Sequence, residues 1–350
     1  MSTVSTGTVT LFTLGGTIAM AGRPSGGVVP RLSGAELAAA VPALAGFALD
    51  VRDALAVPSA NLTFSQLYEV AEAASRAVKA GAAGVVITQG TDTLEETAYL
   101  LDLIWPHEEP LVLTGAMRNP TLAGADGPAN LLAAVRVATA PEARDLGALL
   151  VLGDEIHAAR RVRKTHATST AAFASPDTGP LGHVIEGRVR VLTRPPRLPA
   201  LPTVPDAPRA AQPGAAGAPQ VAQPGAPGAP RVALHTVTLD DDAAAFLPGL
   251  ARTHQGLVVA ACGVGHVAAE LAPVLGELAI RMPVVLTSRT GAGSVLTSTY
   301  GAPGSETDLL GRGLINGGLL DPYKARVLLR VLLSGGADVQ RIREEFGRRG

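Results

Sequence analysis

Three short polar stretches carry residue types that could attack an acyl bond. The first is Gly15-Gly16-Thr17, directly after the apolar run Val9–Leu14. A glycine pair permits a tight turn and a close backbone approach. Free amides in such a turn can face a developing oxyanion, with the threonine hydroxyl at the lip of the sheet. Taken alone, Gly-Gly-Thr is short and common, and reads as a helix N-cap or an ordinary turn. The second stretch is Gly90-Thr91-Asp92-Thr93, after Gly84–Thr88. Thr93 and Glu96 have capping-box spacing, so Thr93 is expected to cap the next helix. That leaves Thr91 and Asp92 exposed at the strand end. Asp92 either sits near a helix N-terminus, which favours an anion, or binds a substrate amine. The third stretch is Gly115-Ala116-Met117-Arg118, after Leu111–Thr114.

A threonine hydroxyl needs a base before it becomes a nucleophile. The neighbouring residues offer no histidine. Lys164, in Arg160-Arg161-Val162-Arg163-Lys164-Thr165, is the candidate, because a buried lysine can exchange a proton with a hydroxyl. The same charge run also fits a solvated strand or loop face. The seven histidines are scattered, without metal-ligand spacing such as HExxH, so no metal and no cofactor is expected. Gly263-Val264-Gly265-His266 follows a strand but lacks the third glycine of a dinucleotide loop. It reads as a strand-to-helix turn.

These residues need a scaffold, and the pattern supplies one. Continuous apolar strands are expected at Val9–Leu14, Gly84–Thr88, Leu111–Thr114 and Ala148–Leu152. Helices alternate with them. Ser33 and Glu36, and Thr63 and Gln66, form capping boxes before helices, the second running Phe64–Ala80. Further helices are expected from Thr93 to about Leu103 and over Asp126–Ala138. Such alternation indicates an α/β fold with a parallel sheet covered on both faces. Those sheets place ligands at the carboxyl ends of their strands, where all three polar stretches fall.

Residues 195–230 interrupt the pattern. Eleven of these 36 positions are Pro, and a repeat built on Ala-Gln-Pro-Gly-Ala occurs at 211–219 and 222–230. This composition reads as a mobile, partly polyproline-like linker. Beyond it, strands are expected at Val232–Val237, Leu257–Cys262 and Pro283–Thr287. Helices are expected over Asp242–Leu250, Val267–Leu275 and Lys324–Leu333. The expected organisation is a larger N-terminal parallel-sheet α/β domain (1–194), the linker (195–230) and a smaller C-terminal α/β domain (231–350).

Composition narrows the class. Hydrophobic residues are 47% of the 350 and aromatics only 3%, so the core is built mainly from Ala, Val and Leu. A net charge of -1 without a basic run argues against nucleic-acid or acidic-membrane partners. The lone Cys262, in an apolar run, is expected to be a buried small hydrophobe. The N-terminus lacks the pattern of a secretory signal, and no apolar stretch approaches the roughly 20 residues of a membrane span. A cytoplasmic protein is expected.

The motifs taken together, in this order, resemble the bacterial-type L-asparaginase family (asparaginase/glutaminase). The likeness runs through Leu14–Ala19, Ile87–Ala98, Leu113–Arg118, Ala125–Asn130, Lys164-Thr165 with Ser175-Pro176, and Lys324–Leu329. It implies hydrolysis of L-asparagine to L-aspartate and ammonia through an acyl-enzyme ester. In that reading Thr17 is the primary nucleophile, and Thr91, Asp92 and Lys164 form the second catalytic group. Gly90 belongs to the substrate-binding turn and Asp92 also holds the substrate α-ammonium. Ser59 holds the α-carboxylate, and the Ala116 carbonyl faces the amide nitrogen. Relatives are usually homodimers or homotetramers. This chain departs from the pattern in three places. Arg23–Pro30 lacks the loop tyrosine of many relatives, Ala60 stands where many have Gln, and His266 where many have Asn from a neighbouring subunit. Glu306 matches an acidic residue that reaches a partner's site. The alternatives are a glutaminase-asparaginase of broader specificity, an amidotransferase subunit, and a non-catalytic amino-acid-binding relative.

Overall fold

The computed structural model of the chain describes residues 7–22, 28–30, 32–202 and 229–350. It divides into two compact units, Met1–Ala200 and Leu201–Gly350. In the first unit the strands are, in chain order, β1 (Val9–Thr13), β2 (Met20–Gly22), β3 (Val28–Pro30), β4 (Leu49–Asp53), β5 (Gly84–Thr88) and β6 (Leu111–Thr114). They continue with β7 (Ala148–Leu152), β8 (Glu155–Ala158), β9 (Arg163–Lys164), β10 (Phe173–Ala174), β11 (Gly182–Ile185) and β12 (Arg188–Val191). Eight of them form one sheet in the order β12-β11-β8-β7-β6-β5-β1-β4, while β2 pairs with β3 and β9 with β10.

Within that sheet β4, β1, β5, β6 and β7 run parallel. The last three strands, β8, β11 and β12, join antiparallel. The expected parallel α/β core is therefore present, extended by an antiparallel edge. β1 has a neighbour on each side: β4 and β5, the next two strands of the sheet in chain order. The chain leaves β1 toward β4 and leaves β5 toward β6, in opposite directions, which makes the β1/β5 gap a topological switch point, where open α/β sheets bind ligands at the strand carboxyl ends.

Four helices cover the sheet: α1 (Gly34–Ala39), α2 (Phe64–Lys79), α3 (Leu94–Ile104) and α4 (Gly127–Thr139). Leu37 and Val41 near α1, and Leu131, Val135 and Val137 of α4, pack with Val9, Leu11, Val86 and Val112. The alternate residues Val85, Ile87, Leu111 and Leu113 are equally buried, so both faces are covered. The capping boxes of Ser33 with Glu36 and of Thr63 with Gln66 form as expected. Thr93 does not cap α3 with its side chain, because its hydroxyl is engaged by another segment.

The second unit has β13 (Val232–Thr236), β14 (Gly256–Ala261), β15 (Val284–Ser288) and β16 (Ile315–Asn316), all parallel and in that order. Its helices are α5 (Leu247–Leu250), α6 (Leu271–Arg281), α7 (Glu306–Gly311), α8 (Pro322–Ser334) and α9 (Val339–Arg349). The helix expected over Val267–Leu275 begins at Leu271 and ends at Arg281. Residues 262–266 form the expected turn, closed by the Cys262 and His266 backbones. Only one turn, α5, of the Asp242–Leu250 helix is α-helical, following a 3-10 turn at Ala243–Ala245. Cys262 is half-buried rather than buried. Of the proline-rich stretch, 203–228 lie outside the described residues. No described helix is long and apolar enough to cross a membrane.

Candidate active site

All seven residues singled out as site candidates lie in the first unit, at or beside the carboxyl ends of its parallel strands. The glycine pair after β1 is the pivot. Gly15 and Gly16 have φ of 98° and 90°, a left-handed conformation that favours glycine. Both are also pressed between neighbouring backbones. A β-carbon on Gly15 would lie 2.8 Å from the Val57 nitrogen and carbonyl oxygen. One on Gly16 would lie 2.1 Å from the Gly90 nitrogen. The chain just before Thr17 thus rests on the chain just before Thr91. Thr17 opens a 3-10 turn, Thr17–Ala19, and is half-buried.

Ser59 is brought in by the segment after β4. Ala54 and Leu55 donate to the Thr13 carbonyl, and Val57 N donates to the Leu14 carbonyl at 3.1 Å. The β4 side therefore follows β1 past its end. Ser59 then starts a 3-10 turn, Ser59–Asn61, and is 3% exposed. Its Oγ is buried without a hydrogen-bond partner among the described residues. A β-carbon on Gly90 would come within 2.8 Å of that oxygen, so the glycine keeps the space open. A buried hydroxyl left unpaired costs about 1–3 kcal/mol, and an incoming acceptor recovers it.

The Thr91–Asp92–Thr93 turn follows β5. Thr91 is buried, not exposed as expected, and Asp92 is exposed. Lys164, on the two-residue strand β9, reaches across to both. Its Nζ donates to Thr91 Oγ1 at 2.9 Å and to Asp92 Oδ1 at 2.9 Å. The lysine side chain is only 15% exposed, against 73% for Asp92. The basic run is thus not a solvated face at this residue. On its other flank, Thr91 meets Gly115, whose β-carbon would lie 3.1 Å from the Thr91 methyl.

Gly115-Ala116-Met117-Arg118 follows β6, and its shape is set by two residues of α4 and its cap. The Asp126 carboxylate accepts from the backbone N–H of Met117 at 3.0 Å and of Arg118 at 2.8 Å. Asn130 Nδ2 donates to the Gly115 carbonyl at 3.0 Å and to Asp126 at 3.1 Å, while its Oδ1 accepts from Gly153 N at 3.0 Å. Sequence reasoning gave Asp126 and Asn130 no role. Their i,i+4 spacing at a helix start was the available signal. Glu95 was also missed: buried in the first turn of α3, its Oε2 accepts from the Lys164 backbone N–H at 2.8 Å. Ser175, next to β10, lies 3.0 Å from the Nδ1 of the fully buried His157. Burial pushes that imidazole below its ordinary value, against the opposing pull of Glu155.

The arrangement offers a threonine turn beside a lysine-contacted threonine, an open carboxylate and an unpaired buried hydroxyl. That set suits nucleophilic attack on the carbonyl of a small zwitterion. Residues 23–27 of the loop lacking the tyrosine lie outside the described residues. In the second unit, Glu306 does not present its carboxylate outward. It is fully buried and accepts from the backbone N–H of Thr299 at 2.9 Å and of Tyr300 at 2.7 Å. His266 Nε2 lies 3.1 Å from its other oxygen, and the His266 ring meets Tyr300 edge-on at 4.9 Å.

Comparison with known proteins gives a consistent picture. Residues 8–197 match the family described as asparaginase, N-terminal, and residues 231–346 the glutaminase/asparaginase C-terminal domain. The chain is 34% identical to a probable L-asparaginase of Deinococcus radiodurans, over 95% of this chain and 94% of the relative. It is 30% identical to a glutaminase-asparaginase of Pseudomonas fluorescens biotype A, over 97% and 89%. Among solved structures, a probable cytoplasmic L-asparaginase from Campylobacter jejuni superposes with a TM-score of 0.82 at 30% identity, covering 97% of this chain and 99% of that one.

Proposed function

The chain belongs to the asparaginase family, and from that membership we propose that it is an L-asparaginase, hydrolysing L-asparagine to L-aspartate and ammonia through a threonine acyl-enzyme. The observation that carries the reading is the Lys164–Thr91–Asp92 cluster beside the unpaired Ser59 hydroxyl. In this reading the Ser59 hydroxyl donates to the substrate α-carboxylate. The exposed Asp92, with one oxygen on Lys164, offers its other oxygen to the α-ammonium. The Ala116 carbonyl accepts from the amide nitrogen. The Thr17 hydroxyl oxygen bonds to the side-chain amide carbon, the C–N bond breaks, and the nitrogen leaves as ammonia with the proton given up by Thr17. Water then attacks the ester, releasing aspartate and restoring Thr17. Lys164 polarises Thr91, which assists the nucleophile or the water.

The wider reading has two domains, 1–194 and 231–350, joined by the 195–230 linker. It also has a cytoplasmic location, as the Campylobacter relative's name gives for that protein, and assembly as a homodimer or homotetramer. Light scattering of the purified chain measures the assembly. A glutaminase-asparaginase is the second reading, favoured by the Pseudomonas relative. An ammonia-release assay across L-asparagine, L-glutamine and their D-forms separates the two. Thr17→Ala should abolish release. Release that survives this substitution removes Thr17 from the role.

A further inference from the structure

Resting on that reading, we infer that the start of α3, its cap residue Thr93 and the first-turn Glu95, is a two-sided positioning clamp, in which Thr93 sets Ser59 and Glu95 sets Lys164. The two residues are two positions apart. Their hydrogen bonds run to two different segments, so one helix start serves two neighbours. Thr93 sits at the helix cap position yet gives its hydroxyl to the Ser59 carbonyl at 2.9 Å. Gln89 Nε2 also donates to the same hydroxyl oxygen at 3.5 Å and to Thr97 at 3.1 Å. With that oxygen accepting from Gln89, the Thr93 proton goes to the Ser59 carbonyl. The backbone that carries the unpaired Ser59 hydroxyl is thus tied to α3, across 34 positions of sequence.

On the other side Glu95 receives the Lys164 backbone N–H at 2.8 Å. A carboxylate in the first helical turn is favoured by the helix dipole, and its bond to a backbone N–H is charge-assisted. Lys164 needs such an anchor. Its strand is two residues long and, among the described residues, pairs only with Phe173–Ala174, and so short a ribbon does not hold its place unaided. The lysine is therefore held at both ends by one short piece of chain. Glu95 fixes its backbone, while Thr91 and Asp92, four and three positions earlier, receive its ammonium nitrogen. Neither Thr93 nor Glu95 needs to touch substrate. Each acts through the residue it holds, one on the binding side and one on the proton-handling side.

The experiment is steady-state ammonia release by the purified full chain, with L-asparagine or L-glutamine as the better substrate, alongside thermal melting. Thr93→Val should raise KM about tenfold with kcat little changed. Glu95→Ala should lower kcat roughly 10- to 100-fold with KM little changed, because small misplacements of reacting groups cost rate. Thr93→Ser and Glu95→Gln, which restore the hydroxyl and the acceptor oxygen, should recover most of each loss. If Glu95→Ala does not fold, Glu95→Asp carries the same expectation, since it keeps the charge but falls one methylene short. Wild-type kinetics in the variants, or equal losses that merely follow the fall in Tm, would overturn the clamp while leaving the hydrolase intact. A wild-type chain that releases ammonia from neither substrate would sink the functional reading, and the clamp with it.

Discussion

Lys164 Nζ and Thr91 Oγ1 stand 2.9 Å apart, a contact closed across 73 positions of sequence. It joins the strand end after β5 to the short β9 ribbon. Lys164→Met, which keeps the unbranched stem of the side chain and removes the nitrogen, should lower kcat by about 10²- to 10⁴-fold, the usual span for a lost proton-transfer group. Thr91→Val should act in the same range, and the double variant should cost little more than either alone, since the two work as a unit. Ammonia release from the three variants checks this.

Ser59 should separate binding from stability. Its hydroxyl is buried and unpaired among the described residues. Ser59→Ala therefore removes a desolvated group that gains nothing in the free protein, and Tm should hold or rise slightly. The same change removes a donor to a charged carboxylate, worth about 1.5–3 kcal/mol, so KM should rise at least tenfold. Melting curves and saturation kinetics on the same preparation show both effects. A fall in Tm with unchanged KM contradicts the assignment.

Gly16→Ala should damage the protein itself. The new β-carbon must sit 2.1 Å from the Gly90 nitrogen at a φ of 90°. Left-handed strain costs roughly 1–3 kcal/mol, and overpacking typically another 1–3 kcal/mol. Thermal melting should show a clear loss, and activity should fall further than stability alone explains, because Thr17 follows directly.

The buried Glu306 carboxylate predicts an acid-sensitive second unit. Burial alone would raise its pKa, but the N–H groups of Tyr300, Glu306 and Thr299, with His266, hold it below the ordinary value of 4.5. A folded-state pKa below the unfolded one means stabilisation that is present above the unfolded value and lost as pH falls through the folded one. The Tm should therefore fall less steeply in Glu306→Gln than in the wild type as pH drops through and below the ordinary carboxylate value of 4.5. Melting across that range tests it, and parallel slopes would contradict it.

How much of this was legible in the sequence depended on what each element buries. β1, β5, β6 and β7 are buried on both faces, so they read as unbroken apolar runs. β4, Leu-Asp-Val-Arg-Asp, is a half-exposed edge strand and gave no such run. β12, Arg-Val-Arg-Val, alternates because one face is wet. At the site, glycine pairs and threonines at strand ends were visible as motifs. Their partnerships were not, because Glu95 with Lys164 and Thr93 with Ser59 are contacts between distant segments. Thr93 shows the limit most clearly. Its spacing fits a cap, and only the fold reveals that Ser59 claims the same hydroxyl.

Gly15, Gly16 and Gly90 also constrain how this protein could have diverged. Each lies where added atoms meet another segment's backbone or the Ser59 hydroxyl. A change at one is tolerable only if the segment it faces retreats, and that retreat would shift Thr17, Thr91 or Ser59 as well. Gly16 and Gly90 should therefore behave as one inherited unit, closed to stepwise drift. Arg118, on the open rim nearby, faces no such barrier. New substrate preferences would arise by altering that rim, with the glycine-packed centre passed on unchanged.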